Sequence, residues 1–347
     1  MVYSHNPSSS HFAHFVLSTT TLIICLLILP RSLNAKTSPH IAYLDRNLLI
    51  ADRGNNRIIE VTPDKRIVWA FHFEGLPPGH GADDAFFSPD NSLIVANLEE
   101  ENIIVLIDYA SRQIIWQYGD GTAGAGPNQL NSPDDAYILP DGNISVADIK
   151  NCRVISISPD KRIIRQYGSP GRCISGQNYY NKPDGATPLA DGHLLITEIK
   201  GGRITEINRD GFELYSFQSP AIYPSDAQET TRNTIIVADY VQFGAIYETD
   251  RTGHVVWQFG PFREGSRRLN KPSLAAEMPN GYVVANDDFN HRVIVIDKAT
   301  HEIVWQYGVT GVAGDEPGYL NIPDGVAWPN DVLTRITATP MPTKEPF

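Results

Sequence analysis

The chain has 347 residues, 41% of them hydrophobic and 20% charged, enough apolar material for one large repeat domain or two ordinary ones. Forty acidic residues against 28 basic give a formal charge of −12. Such a surface repels phosphate backbones, so nucleic acid is excluded as a partner of the whole surface.

In chain order, the first 35 residues stand apart. Phe15 to Leu29 (FVLSTTTLIICLLIL) is an apolar run of 15 residues, followed by Pro30 and then small residues up to Ala35. This is the pattern of a signal-peptide core with its cleavage point, and it is short for a span of about 20 residues. No Lys or Arg precedes the run, and Arg31 is the first basic residue. An uncleaved N-terminal membrane anchor is therefore the alternative. Either way the remainder is expected outside the cytoplasm, as a secreted, periplasmic or extracellular protein. Cys25 lies in the leader. Cys152 and Cys173 remain, and an oxidising compartment permits a bridge between them.

After the leader the chain repeats. LLIAD ends at Asp52, LIVAN at Asn97, ISVAD at Asp148, LLITE at Glu198, IIVAD at Asp239 and YVVAND at Asp287. An alanine precedes the last five by 12 positions: Ala85, Ala136, Ala186, Ala227 and Ala275. Each unit predicts four strands. The alanine strand comes first, then the β-branched run ending in an acid. An alternating strand such as RVISIS from Arg153 follows, and the last is aromatic, as in IIWQYG. Turn pairs such as Asp191-Gly192 and Asn280-Gly281 suit tight hairpins between them. Units of 41 to 51 residues, each one antiparallel sheet, define propeller blades.

The expected fold is therefore all-β: a six-bladed β-propeller of four-stranded antiparallel blades over residues 36–336, with a disordered Pro/Thr-rich tail at 337–347. Small residues belong on the innermost strands, which converge on the axis. Trp69, Trp116, Trp257 and Trp305 belong on the outermost, where the wedge between blades widens. PDGVAW at 323–328 repeats the first-strand pattern with Val326 in the alanine column. It is expected to complete blade one by strand exchange between the termini, the alternative being Ile41 to Leu44 in that place.

Asp52-x-x-Asn55-x-Arg57, Asp148-x-x-Asn151-x-Arg153 and Asp287-x-x-Asn290-x-Arg292 resemble NHL repeats. Glu198 and Arg203 keep the acid and the arginine without the asparagine, blade two has Asn97 and Asn102, and blade five lacks the arginine. The hairpins Asp108 to Trp116, Asp250 to Trp257 and Asp297 to Trp305 are similar to the Trp-bearing hairpins of quinoprotein and arylsulfotransferase propellers. The resemblance implies the fold, and it leaves function open among binding platforms, lyases, hydrolase relatives and interaction modules.

Several residue sets carry possible chemistry. The pairs Asp52/Arg57, Asp148/Arg153, Glu198/Arg203 and Asp287/Arg292 read as structural, bidentate clasps that tie a loop in each blade. Asp83, Asp84, Asp134, Asp135, Asp184, Asp226 and Asp324 stand just before the alanine column, so they should ring one mouth of the channel, with gaps at Gly185, Leu274 and Gly325. Such a cluster suits a hard cation such as Ca²⁺, with Asp84, Asp135 and Asp226 as its ligands, or a polar ligand. The bland alternative is that each Asp caps its own loop. The long loops on that face add Arg263, Arg267 and Arg268 as an anion site and Tyr179 and Tyr180 as stacking rings. Asn131, Asn181, Asn270 and Asn321 read as turn caps. His80, with Asp83, Asp84 and Asp135, is the set an enzyme would use, and no further channel histidine, metal-type His pair, G-x-S-x-G elbow or P-loop accompanies it. The expected function is a ligand- or partner-binding scaffold using the Asp-ring face, for a small molecule, a glycan or a protein. A lyase, hydrolase or sulfotransferase at the same mouth is the alternative.

Overall fold

The computed structural model describes residues 43–189 and 191–329. The leader and the 337–347 tail lie outside them. From axis to rim, blade one is Pro323–Ala327, Leu48–Asp52, Arg57–Val61 and Ile67–His72, and blade two is Ala85–Phe87, Leu93–Leu98, Ile103–Asp108 and Gln113–Tyr118. Blade three is Pro133–Ile138, Ile144–Asp148, Arg153–Ile157 and Ile163–Gly168, and blade four is Pro183–Pro188, Leu194–Glu198, Arg203–Ile207 and Glu213–Gln218. Blade five is Pro224–Glu229, Ile235–Asp239, Ile246–Thr249 and Val255–Phe259, and blade six is Ala275–Glu277, Val283–Asp287, Arg292–Asp297 and Glu302–Gly308. All strand pairings within the blades are antiparallel. Among the described residues the only helical pieces are three single turns, Arg53–Asn55, Ile149–Asn151 and Asp288–Asn290.

Strand exchange closes the ring as expected. Leu49 pairs with Ala327 and Ile50 with Val326, so the chain's end supplies the inner strand of blade one. Leu44 is buried ahead of that blade and lies outside any strand. The alanine column is fully buried, because the inner strands pack on one another around the axis. Second strands are buried along their whole length in blades one, three, four, five and six, which is why they read as unbroken β-branched runs.

The tryptophans fill the wedge between blades and also bond across it. Trp69 Nε1 donates to the Tyr109 carbonyl (2.8 Å), Trp116 to Pro159 (2.8 Å), Trp257 to Lys298 (3.0 Å) and Trp305 to Pro63 (2.9 Å). Each acceptor sits on the turn between the third and fourth strands of the next blade.

The acid–arginine pairs depart from the bidentate expectation. In blades one, three, four and six only Nε reaches the acid, at 2.6–2.7 Å. The guanidinium also bonds carbonyls of the loop arriving from the previous blade, Asp315 and Tyr319 for Arg57, Ala125 and Gln129 for Arg153, Gly176 and Tyr179 for Arg203 and Arg268 for Arg292, and in the last three Nη1 reaches a fourth-strand side chain as well, Gln166, Glu213 or Gln306. The other acid oxygen accepts the loop's amide at Asn321, Asn131, Asn181 and Asn270. Each clasp therefore stitches two neighbouring blades. Single-bond geometry follows from burial: a buried guanidinium has to satisfy all its donors, and one carboxylate cannot serve the loop as well if it takes two of them.

Cys152 and Cys173 form a disulfide across 21 residues with Cα atoms 5.2 Å apart. Closing a loop of that length contributes about 3 kcal/mol in the chain-entropy account.

Candidate functional site

Inner strands begin on the face where second strands end. The mouth therefore collects the first residues of the inner strands, the turns between second and third strands, and the inter-blade loops. There a cavity of about 290 Å³ is lined by Asp83, Glu99, Asp134, Asp184 and Asp324, with Arg53, Lys150, Lys182 and Lys200 among them. Ile149, Ile199, Tyr223, Ser225 and Tyr240 complete the wall.

Arg53 is the centre of the acid cluster. Its Nη1 lies 3.0 Å from Asp324 and 3.1 Å from Asp83, and its Nη2 bonds Glu100 and lies 3.9 Å from Glu99. Burial works against its charge, but Asp83, Asp324 and Glu100 together more than compensate, so the guanidinium is held charged. Asp184 accepts from Ser225 Oγ (3.2 Å), and Asp134 accepts from Asn97 Nδ2 (2.9 Å). Burial pushes Asp83, Asp134 and Asp184 well above the ordinary carboxylate range, with neighbouring carboxylates adding to it. Tyr223 and Tyr240 stand as a tilted pair with centroids 5.4 Å apart, their phenols raised chiefly by burial.

Beneath this layer lie Asp84, Asp135 and Asp226, all buried. They join in carboxyl-to-carboxyl hydrogen bonds, Asp84 with Asp134 and Asp135 with Asp226. Carboxylates that close cannot all ionise, so the pairs hold protons. The two glycine gaps in the ring are explained by this layer. A Cβ at Gly185 would come 3.1 Å from Asp135 Oδ2, and one at Gly325 would come 2.6 Å from Asp84 Oδ1. Some aspartates also cap backbone, as in Asp226 accepting the Ala227 amide (2.7 Å) and Asp83 the Glu99 amide (2.9 Å).

The three residues assigned to calcium thus fall into two different carboxyl pairs. Among the described residues, carboxylate-bearing groups whose ligand atoms all lie within 4.8 Å of one another are Asp83–Glu99–Glu100 and Asp191–His193–Glu206. The first already surrounds Arg53, which supplies the positive charge such a cluster calls for.

Of the residues an enzyme would use, only Asp83 lines the cavity; Asp84 and Asp135 lie beneath it. His80 sits to one side with Nδ1 2.7 Å from Glu101. Tyr180 is buried in the core of blades three and four, filling the wedge there, and so cannot stack on a ligand. Tyr179 is covered by Arg172, whose guanidinium lies 3.9 Å from the ring centroid. Arg263 and Arg268 flank the Phe243 ring, and Arg267 lies over Phe262 and donates to the His301 carbonyl (3.2 Å). These three arginines form no part of the cavity wall.

Residues that sequence reasoning passed over do line it. Arg53, Ile149, Ile199 and Tyr240 each follow the acid that ends a second strand, and Asp288, in the same column of blade six, lies outside the cavity wall. Asp288 is buried, accepts from Ser273 Oγ (2.9 Å) and leaves Oδ2 without a partner. The signal was a variable column beside a constant one.

No protein-family model and no curated protein matches the chain. Solved structures do. A protein of unknown function from Bacteroides caccae matches with a TM-score of 0.60 at 17% identity, over 81% of this chain and 97% of that one. A propeller in a nidogen/laminin complex gives 0.56 at 14% identity, over 81% and 97%. Virginiamycin B lyase from Staphylococcus aureus gives 0.53 at 17% identity, over 76% and 81%. The fold is an NHL-like six-bladed β-propeller. At such identities the likeness establishes architecture and leaves the site to be argued from its own chemistry.

Proposed function

We propose that this propeller is a secreted binding scaffold whose mouth takes a small acidic saccharide. The observation that carries the reading is the charge layout of the 290 Å³ cavity. Lys150, Lys182 and Lys200 border it with no ion-pair partner within 4 Å among the described residues, above a floor of buried carboxyl groups. Ammonium groups receive the ligand's anion, carboxyl groups receive sugar hydroxyls, and Tyr223 and Tyr240 offer rings to a sugar face. The likeness to a propeller found in a protein complex supports binding as a use of this fold, and the apolar leader and the disulfide support an extracellular setting. The first residue of the mature protein tests the leader; Lys36 is the expected start.

Calorimetric titration with glucuronate, galacturonate and their neutral parent sugars tests the site. Saturable binding of a uronate, weakened at least tenfold by Lys182→Ala and absent for the parent sugar, is expected. Equal binding to wild type and Lys182→Ala, or no uronate binding, overturns the reading. A lyase is the second reading, favoured by raised carboxyls beside two phenols. Loss of intact ligand during the titration, abolished by Asp184→Asn, would select it over binding alone.

A further inference from the structure

A second cavity of about 250 Å³ lies between blades three and four, on the face opposite the mouth. Its origin is a local break in the repeat. In every blade one row of residues runs across the sheet toward the next blade. Blade one reads Leu49, Glu60, Trp69 from the second strand outward; blade two reads Val95, Leu106, Trp116. Blades four, five and six read Leu195-Glu206-Tyr215, Ile236-Glu248-Trp257 and Val284-Val295-Trp305. Blade three alone reads Ser145, Ser156, Arg165. Five blades place a bulky aliphatic and an aromatic ring in this row; the third places two small hydroxyls and a guanidinium.

The consequence is a ring-sized space in the wedge. The hydroxyls of Ser145 and Ser156 are buried (1% and 5% exposed), line the cavity and have no hydrogen-bond partner. An unpaired buried hydroxyl is destabilising, and a bound polar group would relieve it. Arg165 and, from the next blade's turn, Arg209 border the same space. Both are exposed, and neither guanidinium has a hydrogen bond or ion pair among the described residues. Asp141, the acid on this rim, accepts the Asn143 amide (3.1 Å) within its own turn. Leu139, Leu189 and Leu194 supply apolar walls. The tether to the next blade, made in blades one, two, five and six by a Trp Nε1, passes here to Tyr167, whose hydroxyl donates to the Arg209 carbonyl (2.8 Å). Blade three therefore keeps the inter-blade bond and gives up only the ring that would fill the wedge.

We propose that this wedge is a binding site for a small aromatic carboxylate, whose ring takes the place of the missing side chain. Its carboxylate pairs with Arg165 and Arg209, and its polar edge meets Ser145 and Ser156. The volume lies just under the range of about 300–1,000 Å³ typical of drug-sized ligands, which limits the occupant to one fused ring with a single small substituent.

Titration of the purified protein with indole-3-carboxylate, and with indole-3-carboxamide as its neutral isostere, tests the site. One saturable site per chain is expected, with the acid bound at least tenfold more tightly than the amide. Arg165→Trp restores the residue used by four other blades, so it is expected to abolish binding while melting no lower than wild type. Arg209→Gln should narrow the preference for acid over amide to about threefold or less, since Arg165 alone then faces the carboxylate. If Arg165→Trp fails to fold, Ser145→Leu fills the same space and gives the same readout. Absence of saturable binding to the wild type, or undiminished binding to a folded Arg165→Trp or Ser145→Leu protein, overturns the proposal.

Discussion

Replacing Asp135 by asparagine tests whether the acid layer beneath the mouth is held together by protons. Asp226 gathers donors from three sides: the Ala227 amide (2.7 Å), the Thr187 hydroxyl (3.2 Å) and the Gln228 side-chain amide. That is the pattern of an ionised carboxylate. Asp135, 3% exposed, accepts only the Ala186 amide (3.2 Å) and shares its other contact with Asp226. The proton of the pair therefore sits on Asp135. Burial, and then the Asp226 charge, raise its pKa well above the ordinary range.

The sign follows from proton counting. In the unfolded chain an Asp titrates near about 3.9, so above that pH the folded state binds the extra proton. Its contribution is fully present below that value and is lost as pH rises toward the folded pKa, at about 1.4 kcal/mol per pH unit. For a domain of roughly 300 residues this is a slope of about 2 °C in Tm per pH unit. Asparagine keeps an oxygen for the Ala186 amide and donates N–H to Asp226 where the acid donated its proton. Calorimetric Tm values from pH 5 upward should therefore fall less steeply in Asp135→Asn, by about 2 °C per unit until the folded pKa is passed, with the variant's advantage widening over that range. Parallel Tm curves refute the shared proton. A variant less stable at every pH, alongside a wild type destabilised by a chelator, would show that a cation joins the pair instead.

Two further outcomes follow from the framework. Arg153→Met leaves Asp148 buried without its guanidinium and frees the Ala125 and Gln129 carbonyls, so denaturant unfolding should show a loss of about 3–5 kcal/mol; a loss under about 1 kcal/mol would mean that the clasp is ornamental. Gly325→Ala places a Cβ 2.7 Å from the Asp84 backbone, whereas at Gly185 the close atoms are the Thr197 hydroxyl and the Asp135 carboxyl, which can turn away. The first should cost about 1–3 kcal/mol as overpacking and the second less, and the reverse order of melting temperatures would contradict this account of the gaps.

The architecture was legible because the repeat states each rule several times. An alanine 12 residues before an acid or, once, an asparagine, five times over, reports a small residue at a converging axis, and the structure buries all five alanines. The acid and arginine five apart reported a clasp. Its actual geometry depended on carbonyls of a loop some 24 to 262 residues away, which no spacing rule reaches. The ring of aspartates was visible as a column. That it splits into a cavity wall and a lower layer of proton-sharing carboxyls was not, because depth along the axis depends on strand register and on glycines that let a neighbour's carboxyl in. Tyr180 shows the opposite failure: an aromatic in a polar loop reads as exposed, yet the loop folds inward to fill its wedge.

In a repeat protein, constancy and departure carry different information. Positions that recur satisfy needs every blade shares, namely closure, wedge filling and inter-blade stitching, and selection for any one ligand would have no reason to place them six times. Ligand recognition has to break the symmetry, because one small molecule meets one place on the ring. The column after the second-strand acid changes from Arg53 to Ile149, Ile199 and Tyr240, and these four line the mouth. The cross-blade row changes in the same way at Ser145, Ser156 and Arg165, and there a second cavity opens. Both cavities thus lie where the sequence stops repeating while the backbone continues to do so. A substitution that restores the repeat at such a place should keep the fold and remove the ligand, and one that breaks the repeat elsewhere should do the reverse.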